Sequence, residues 1–134
     1  MEQRIDLEKH GSKETGYLSV FDDCEFLGFP IKRVYYTYGV AEGGVRGNHA
    51  HKELKQLLWC PYGAIAITLE DGAGVRSYTL DEPNKALLIP GKLWLSLTWL
   101  KADSVLCAAV SDHYSEEDCI RDYEEFLRCL KDGM

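Results

Sequence analysis

Short strand-like runs of four to eight residues, most of them rich in β-branched, aromatic and aliphatic side chains and cut at short intervals by turn signals, constrain this chain more than any other feature. The runs are Tyr17–Phe21, Ile31–Tyr38, Arg46–His51, Lys55–Cys60, Ala64–Leu69, Val75–Leu80, Ala86–Ile89, Leu93–Trp99 and Val105–Val110. Glu42-Gly43-Gly44, Pro61-Tyr62-Gly63 and Asp71-Gly72-Ala73-Gly74 supply the punctuation. Such a series is too short-paced for helices and predicts an all-β barrel or sandwich. The period changes near the C-terminus. Ser115 followed by Asp118 reads as a helix start, and Ile120, Tyr123, Phe126, Leu127 and Leu130 recur at helical spacing, predicting a helix over about 116–131 that packs on the barrel. Residues before Gly16, His10 among them, read as a frayed stretch. No linker or repeat divides the chain, and 134 residues suit one domain over residues 1–134.

Charge narrows the partners. The net charge of −7 argues against nucleic acid, whose binding depends on neutralising phosphates. Between Phe29 and Gln56, however, Lys32, Arg33, Arg46, Lys52 and Lys55 face only Glu42 and Glu53. A basic region in an acidic chain suits a small anion such as a diphosphate. The cysteines Cys24, Cys60, Cys107, Cys119 and Cys129 are odd in number with no C-x-x-C pair, so reduced thiols in a cytoplasmic protein are expected. Met1-Glu2-Gln3-Arg4-Ile5-Asp6 lacks an apolar signal core, and no apolar run approaches the ~20 residues of a membrane span.

The chemistry concentrates at His49-Ala50-His51. On a strand, residues i and i+2 point to one face, about 7 Å apart at Cα, so both imidazoles enter one cavity. Three readings compete: a metal centre, two core histidines, and paired acid–base catalysis. Two imidazoles are fewer than the three or four protein ligands of a usual metal site. Burying both with no function is a costly way to fill a barrel. Histidine titrates near neutral pH, so one ring can accept a proton while the other donates.

Gly47, His49, His51, Gln56 and Gly63 together resemble the first motif of the cupin superfamily, with Gln56 at its glutamate position. Trp94, in Pro90-Gly91-Lys92-Leu93-Trp94, falls where metal-binding cupins carry a later histidine. An amide is a poor ligand for a divalent cation and indole is none. The resemblance sharpens with Phe29–Tyr36, Arg46-Gly47-Asn48-His49-Ala50-His51-Lys52, Leu80-Asp81-Glu82-Pro83 and Ser111–Tyr123. From about Gly16 to Phe126 the chain is similar to the nucleotide-sugar 3,4-ketoisomerases, which act on dTDP-4-keto-6-deoxy-D-glucose.

That resemblance implies a cupin-type jelly-roll barrel with a C-terminal α-helix, no metal or other cofactor, and a homodimer that commonly exchanges N-terminal strands. It implies His49 and His51 as the catalytic pair. Arg33, Tyr35, Arg46, Gln56 and Trp94 are the substrate-binding candidates, with Arg33, Tyr35 and Arg46 directed to sugar or diphosphate. Two departures stand out. Asn48 replaces a usual aromatic residue, and Trp94-Leu95-Ser96-Leu97 replaces Trp-x-Glu-Met. The second motivates one alternative, a cupin that binds a sugar nucleotide without turning it over; the histidine pair leaves another, a metal-dependent cupin enzyme.

Overall fold

The computed structural model describes residues 1–22 and 27–133. Cys24 lies outside them, so the reduced-thiol expectation applies here to Cys60, Cys107, Cys119 and Cys129, which are all free. Two five-stranded antiparallel sheets face each other. One has the order β1 (Gln3–Asp6), β9 (Lys85–Ile89), β6 (Gln56–Tyr62), β11 (Val105–Val110), β4 (Arg33–Thr37). The other runs β12 (Cys119–Ile120), β5 (Val45–His51), β10 (Trp94–Trp99), β7 (Ile65–Glu70), β8 (Val75–Leu80). A separate hairpin joins β2 (Glu8–Ser12) to β3 (Gly16–Val20), and α1 (Tyr123–Lys131) follows β12. This is the jelly-roll barrel with a C-terminal helix that the strand spacing and the resemblance predict.

Alternation decides which residues meet inside. Leu58 and Cys60 of β6, Ile65, Ile67 and Leu69 of β7, Leu95, Leu97 and Trp99 of β10, and Leu106, Ala108 and Val110 of β11 form the interior. The residues between them point outward, as the two-residue period of a strand requires. A second apolar layer lies outside the first sheet, where Leu7, Leu27 and Phe29 cover Leu57, Ala86 and Ala109. A third lies outside the other sheet, where Phe126 of α1 packs on Ala50, Trp94 and Ile120.

Three local expectations need correction. The N-terminal stretch is ordered: β1 pairs with β9, and His10 sits in β2 opposite Leu18. Its residues are mostly polar because β1 is an edge strand, and Arg76 and Tyr78 fasten it by donating to the Glu2 carboxylate. The helix begins at Tyr123, not near 116. Residues Glu116–Asp118 form a single 3-10 turn, Ser115 makes no side-chain cap, and β12 intervenes. Finally, β6 continues through Pro61 and Tyr62. Those residues lie beyond the pairing with β9 and beside a register shift against β11, where a proline without an N–H is tolerated.

One irregularity positions the site. Along β10, Leu95 pairs with His49 but Ser96 pairs with Gly47, so Asn48 is an extra residue bulged from β5. Gly47 and Asn48 have φ of +88° and +57°. Glycine enters that region freely, and asparagine is among the few other residues that tolerate it. The bulge resets the alternation. Arg46, three residues before His49, pairs with inward-facing Leu97 and so joins the histidine face. A regular strand would have turned Arg46 outward.

Candidate active site

His49 and His51 project from β5 into one cavity of about 280 Å³. Their ring centroids are 4.9 Å apart and the planes are nearly perpendicular, at 85°. Arg46 reaches the cavity from the same strand, and Arg33 and Tyr35 reach it from β4. The remaining wall comes from the segment that leads into and through β12: His113, Tyr114, Ser115, Asp118, Cys119 and Arg121. The Arg33 guanidinium lies 5.0 Å from the Tyr35 ring centre and 5.9 Å from that of Tyr114. Such cation–π contacts hold the guanidinium flat while its edge donors stay available for an anion.

Electrostatics in the chamber favour neutral imidazoles. Burial lowers the pKa of His49, and Arg121 pushes it the same way. His51 is pushed down to about 4, first by burial and then by His49, with Asp118 acting in the opposite direction. The His51 side chain is only 13 % exposed, and its Nδ1 stands 3.3 Å from Asp118 Oδ2. Burial raises the Tyr35 hydroxyl and the Cys119 thiol, so both are protonated at neutral pH. The chamber therefore holds two imidazoles able to accept protons, hydroxyl and thiol groups able to donate, and the guanidinium groups of Arg33 and Arg46 able to fix negative charge, while Arg121 is already paired with Glu116.

The structure brings together His49, His51, Arg33, Tyr35 and Arg46 as expected from the sequence. Gln56 is 3 % exposed, does not line the cavity, and accepts a 3.4 Å hydrogen bond from the Tyr35 hydroxyl, so it supports a wall residue. Trp94 as a substrate-binding residue is a correction. Its neighbours Leu93 and Leu95 face inward, so Trp94 faces out, 8 % exposed, with its ring 5.2 Å from that of Tyr123 and 5.7 Å from that of Phe126. Ser96 shares that outward face and Leu97 lies in the interior core, so neither residue of the departure from Trp-x-Glu-Met lines the histidine cavity.

His113, Tyr114, Asp118, Cys119 and Arg121 were missed as site residues. An acidic residue after Ser115 looks locally like the first turn of a helix. Only the pairing of Cys119 with His51, across the fold, shows that this segment closes the chamber. Among the described residues, no three His, Cys, Asp or Glu side chains are grouped so as to hold a metal ion.

Comparison with known proteins places this geometry. Residues 2–131 match the family described as FdtA, WxcM-like, C-terminal. The chain is 34% identical over 130 residues to the TDP-4-oxo-6-deoxy-alpha-D-glucose-3,4-oxoisomerase of Aneurinibacillus thermoaerophilus, covering 97% of this chain and 94% of that one. Among solved structures, a 3,4-ketoisomerase from Helicobacter canadensis superposes with a TM-score of 0.91 at 33% identity, over 97% of each chain. A variant of the 3,4-ketoisomerase QdtA from Thermoanaerobacterium thermosaccharolyticum, in complex with TDP-4-keto-6-deoxyglucose, superposes at 0.92 with 28% identity, over 98% of this chain and 94% of that one. Coverage of nearly the whole chain, by relatives of nearly the same length, joins the paired imidazoles to one kind of chemistry: the chain belongs to the FdtA, WxcM-like family of 3,4-ketoisomerases and is an isomerase.

Proposed function

We propose that the chain moves the carbonyl of a TDP-linked 4-keto-6-deoxyglucose from C4 to C3, in deoxysugar biosynthesis, by acid–base catalysis between His49 and His51 with no metal. The observation that carries this reading is the perpendicular pair of neutral imidazoles in one chamber with Arg33, Arg46 and Arg121. The C4 ketone acidifies the hydrogen on C3. His51 takes that proton as the C3–H electron pair becomes the C3–C4 double bond and the C4 carbonyl pair moves to oxygen. A proton reaches O4, with His49 serving the oxygens. The resulting enediol loses the O3 proton, its C3–O3 bond becomes the new carbonyl, and C4 receives a proton from His51. No electron acceptor is needed, since C4 is reduced as C3 is oxidised. Arg33 and Arg46 suit the diphosphate, because guanidinium forks match its oxygens.

Incubation with TDP-4-keto-6-deoxyglucose, followed by proton NMR, tests the assignment: loss of the C3 hydrogen to deuterium in D2O and growth of the 3-keto sugar are expected. Binding without exchange would mark a carrier of sugar nucleotides, a reading weakened by the outward position of Ser96. His51→Asn should keep TDP affinity and lose about 10³-fold in kcat, within the usual range for a positioned base. Prolonged chelation should leave turnover unchanged, whereas inactivation reversed by one particular metal would point to a metal-dependent cupin.

We also propose a homodimer in which the N-terminal strands exchanged are those of the β2–β3 hairpin, β1 staying on its own β9. The β2–β3 hairpin leaves Tyr17 and Leu18 exposed, and Val34, Tyr36, Tyr38 and Tyr62 are exposed on β4, β6 and the residue after β4. Light scattering should give twice the mass of one chain.

A further inference from the structure

We infer that Asp118 is the positioning residue of His51: its carboxylate holds the proton on Nδ1 and so leaves Nε2 as the free base that meets the substrate. This rests on the reading of His51 as the carbon base. Two polar neighbours converge on one ring atom. Asp118 Oδ2 lies 3.3 Å from His51 Nδ1, and Cys119 Sγ lies 3.7 Å from the same nitrogen. They come from consecutive residues, and they require opposite tautomers. A carboxylate can only accept, so it needs Nδ1–H. A donating thiol needs a bare Nδ1, which puts the proton on Nε2 and removes the lone pair a base must offer.

Distance and charge decide between them. The oxygen is the nearer atom. An ionised acceptor makes a hydrogen bond roughly twice as strong as a neutral one, whereas a thiol is a weak donor. At 3.3 Å the oxygen is near enough but off the line of an Nδ1–H bond, whereas the Cys119 contact meets hydrogen-bond geometry; catalytic contacts of this kind are often poorly aligned until substrate tightens a site. The carboxylate is also built into place. Oδ1 accepts from the Glu53 N–H at 2.8 Å and Oδ2 from the Leu54 N–H at 3.2 Å. The Asp118 carbonyl accepts from the Lys52 N–H at 2.9 Å. The loop that leaves His51 thus grips Asp118 at both its backbone and its side chain. The His51 carbonyl is held in turn by the Lys92 N–H at 2.7 Å, which anchors the ring's own backbone. With Asp118 only 17 % exposed, water does little to screen the pair.

A loop cap would need only the two amide contacts; the imidazole contact is additional, and the tautomer reports it. In full-length protein labelled with 15N-histidine, long-range 15N–1H spectra near neutral pH should show His51, assigned by its loss in His51→Asn, as the Nδ1–H form. The Nε2–H form in the wild-type chain would overturn the inference without any variant at Asp118. Asp118→Asn can place an amide N–H against Nδ1 and should shift the ring to Nε2–H. Its kcat on the keto sugar should then fall by about 100-fold or more, with KM and TDP affinity within about threefold of wild type. Asp118→Glu, which keeps the carboxylate, should recover at least about tenfold of that loss. Wild-type kcat in Asp118→Asn would overturn the assignment. So would an equal loss of kcat and TDP affinity with the wild-type tautomer retained, the signature of a cap alone. If His51→Asn keeps turnover, the acid–base reading itself fails, and the two failures are distinguished.

Discussion

The inner and outer faces of β5 and β10 lie one side chain apart, yet they obey different rules. Inward, β5 presents Arg46, His49 and His51 to a cavity open to ligand. Outward, Ala50 of β5 and Trp94 of β10 sit under α1 in a dry cluster with Ile120 and Phe126. The inner face holds two half-buried imidazoles beside guanidinium groups, which costs desolvation but leaves protons to move. The outer face fills its space with hydrocarbon and aromatic rings, and its helix holds down β12, the strand that closes the chamber. Reactivity and stability are thus divided between opposite sides of the same two strands.

The sharpest way to break that division is to empty the outer face. Phe126 is 0 % exposed, with its ring 5.9 Å from Tyr123 and 5.7 Å from Trp94. Phe126→Ala should cost about 3–5 kcal/mol in urea denaturation, through lost burial plus a cavity. Trp94→Phe, a smaller change, should lower the midpoint while KM for the sugar nucleotide stays at the wild-type value. A raised KM with an unchanged midpoint would return Trp94 to the binding site.

Acid titration sharpens the contrast from the other side. His51 titrates at about 4 in the folded chain against an ordinary value of 6.5, and His49 is lowered too. Between those values the unfolded chain binds protons that the folded chain refuses. Stability therefore falls as pH drops from 6.5 toward 4, and His51 accounts for about 3 kcal/mol of that fall at about 1.4 kcal/mol per unit. Glu2, held at about 2 by Arg76 against an ordinary 4.5, loses its contribution as pH falls from 4.5 toward 2, so most of that loss lies below the His51 window. Unfolding free energies at pH 7, 5.5 and 4.5 should show the slope, and His51→Asn should flatten it. An identical slope in that variant would place the proton uptake elsewhere.

The inner face was largely legible in the sequence and the outer face was not, for a physical reason. His49 and His51 are two apart on one strand, so local periodicity alone predicts their meeting. Arg33 and Tyr35 obey the same rule on β4. Trp94 misled because a tryptophan at a barrel mouth and one under a helix have the same local signature. Only its register against Ala50 and the docking of Phe126 separate them. Asp118 was hidden likewise, since its partners Glu53 and Leu54 lie more than sixty residues away. The N-terminal strands were missed because edge strands show little apolar alternation.

Arg46 shows how one irregular residue joins the two accounts, and it yields the smallest expected effect. Spacing alone would set Arg46 opposite to His49, and only the bulge at Asn48 returns it to the chamber. Asparagine at φ +57° is tolerated, whereas a β-branched residue there costs about 1–2 kcal/mol. Asn48→Gly should thus leave stability within about 0.5 kcal/mol and leave TDP affinity unchanged. Asn48→Val should lose about 1–2 kcal/mol and weaken TDP binding more than it slows exchange of the C3 hydrogen at saturating substrate. The reason is directional: straightening the bulge turns the residues before it, Arg46 included, while His49 and His51 stay paired with Leu95 and Cys119. Equal losses in affinity and in saturated exchange would mean that the bulge supports the imidazoles as well, and that the arginine does not depend on it alone.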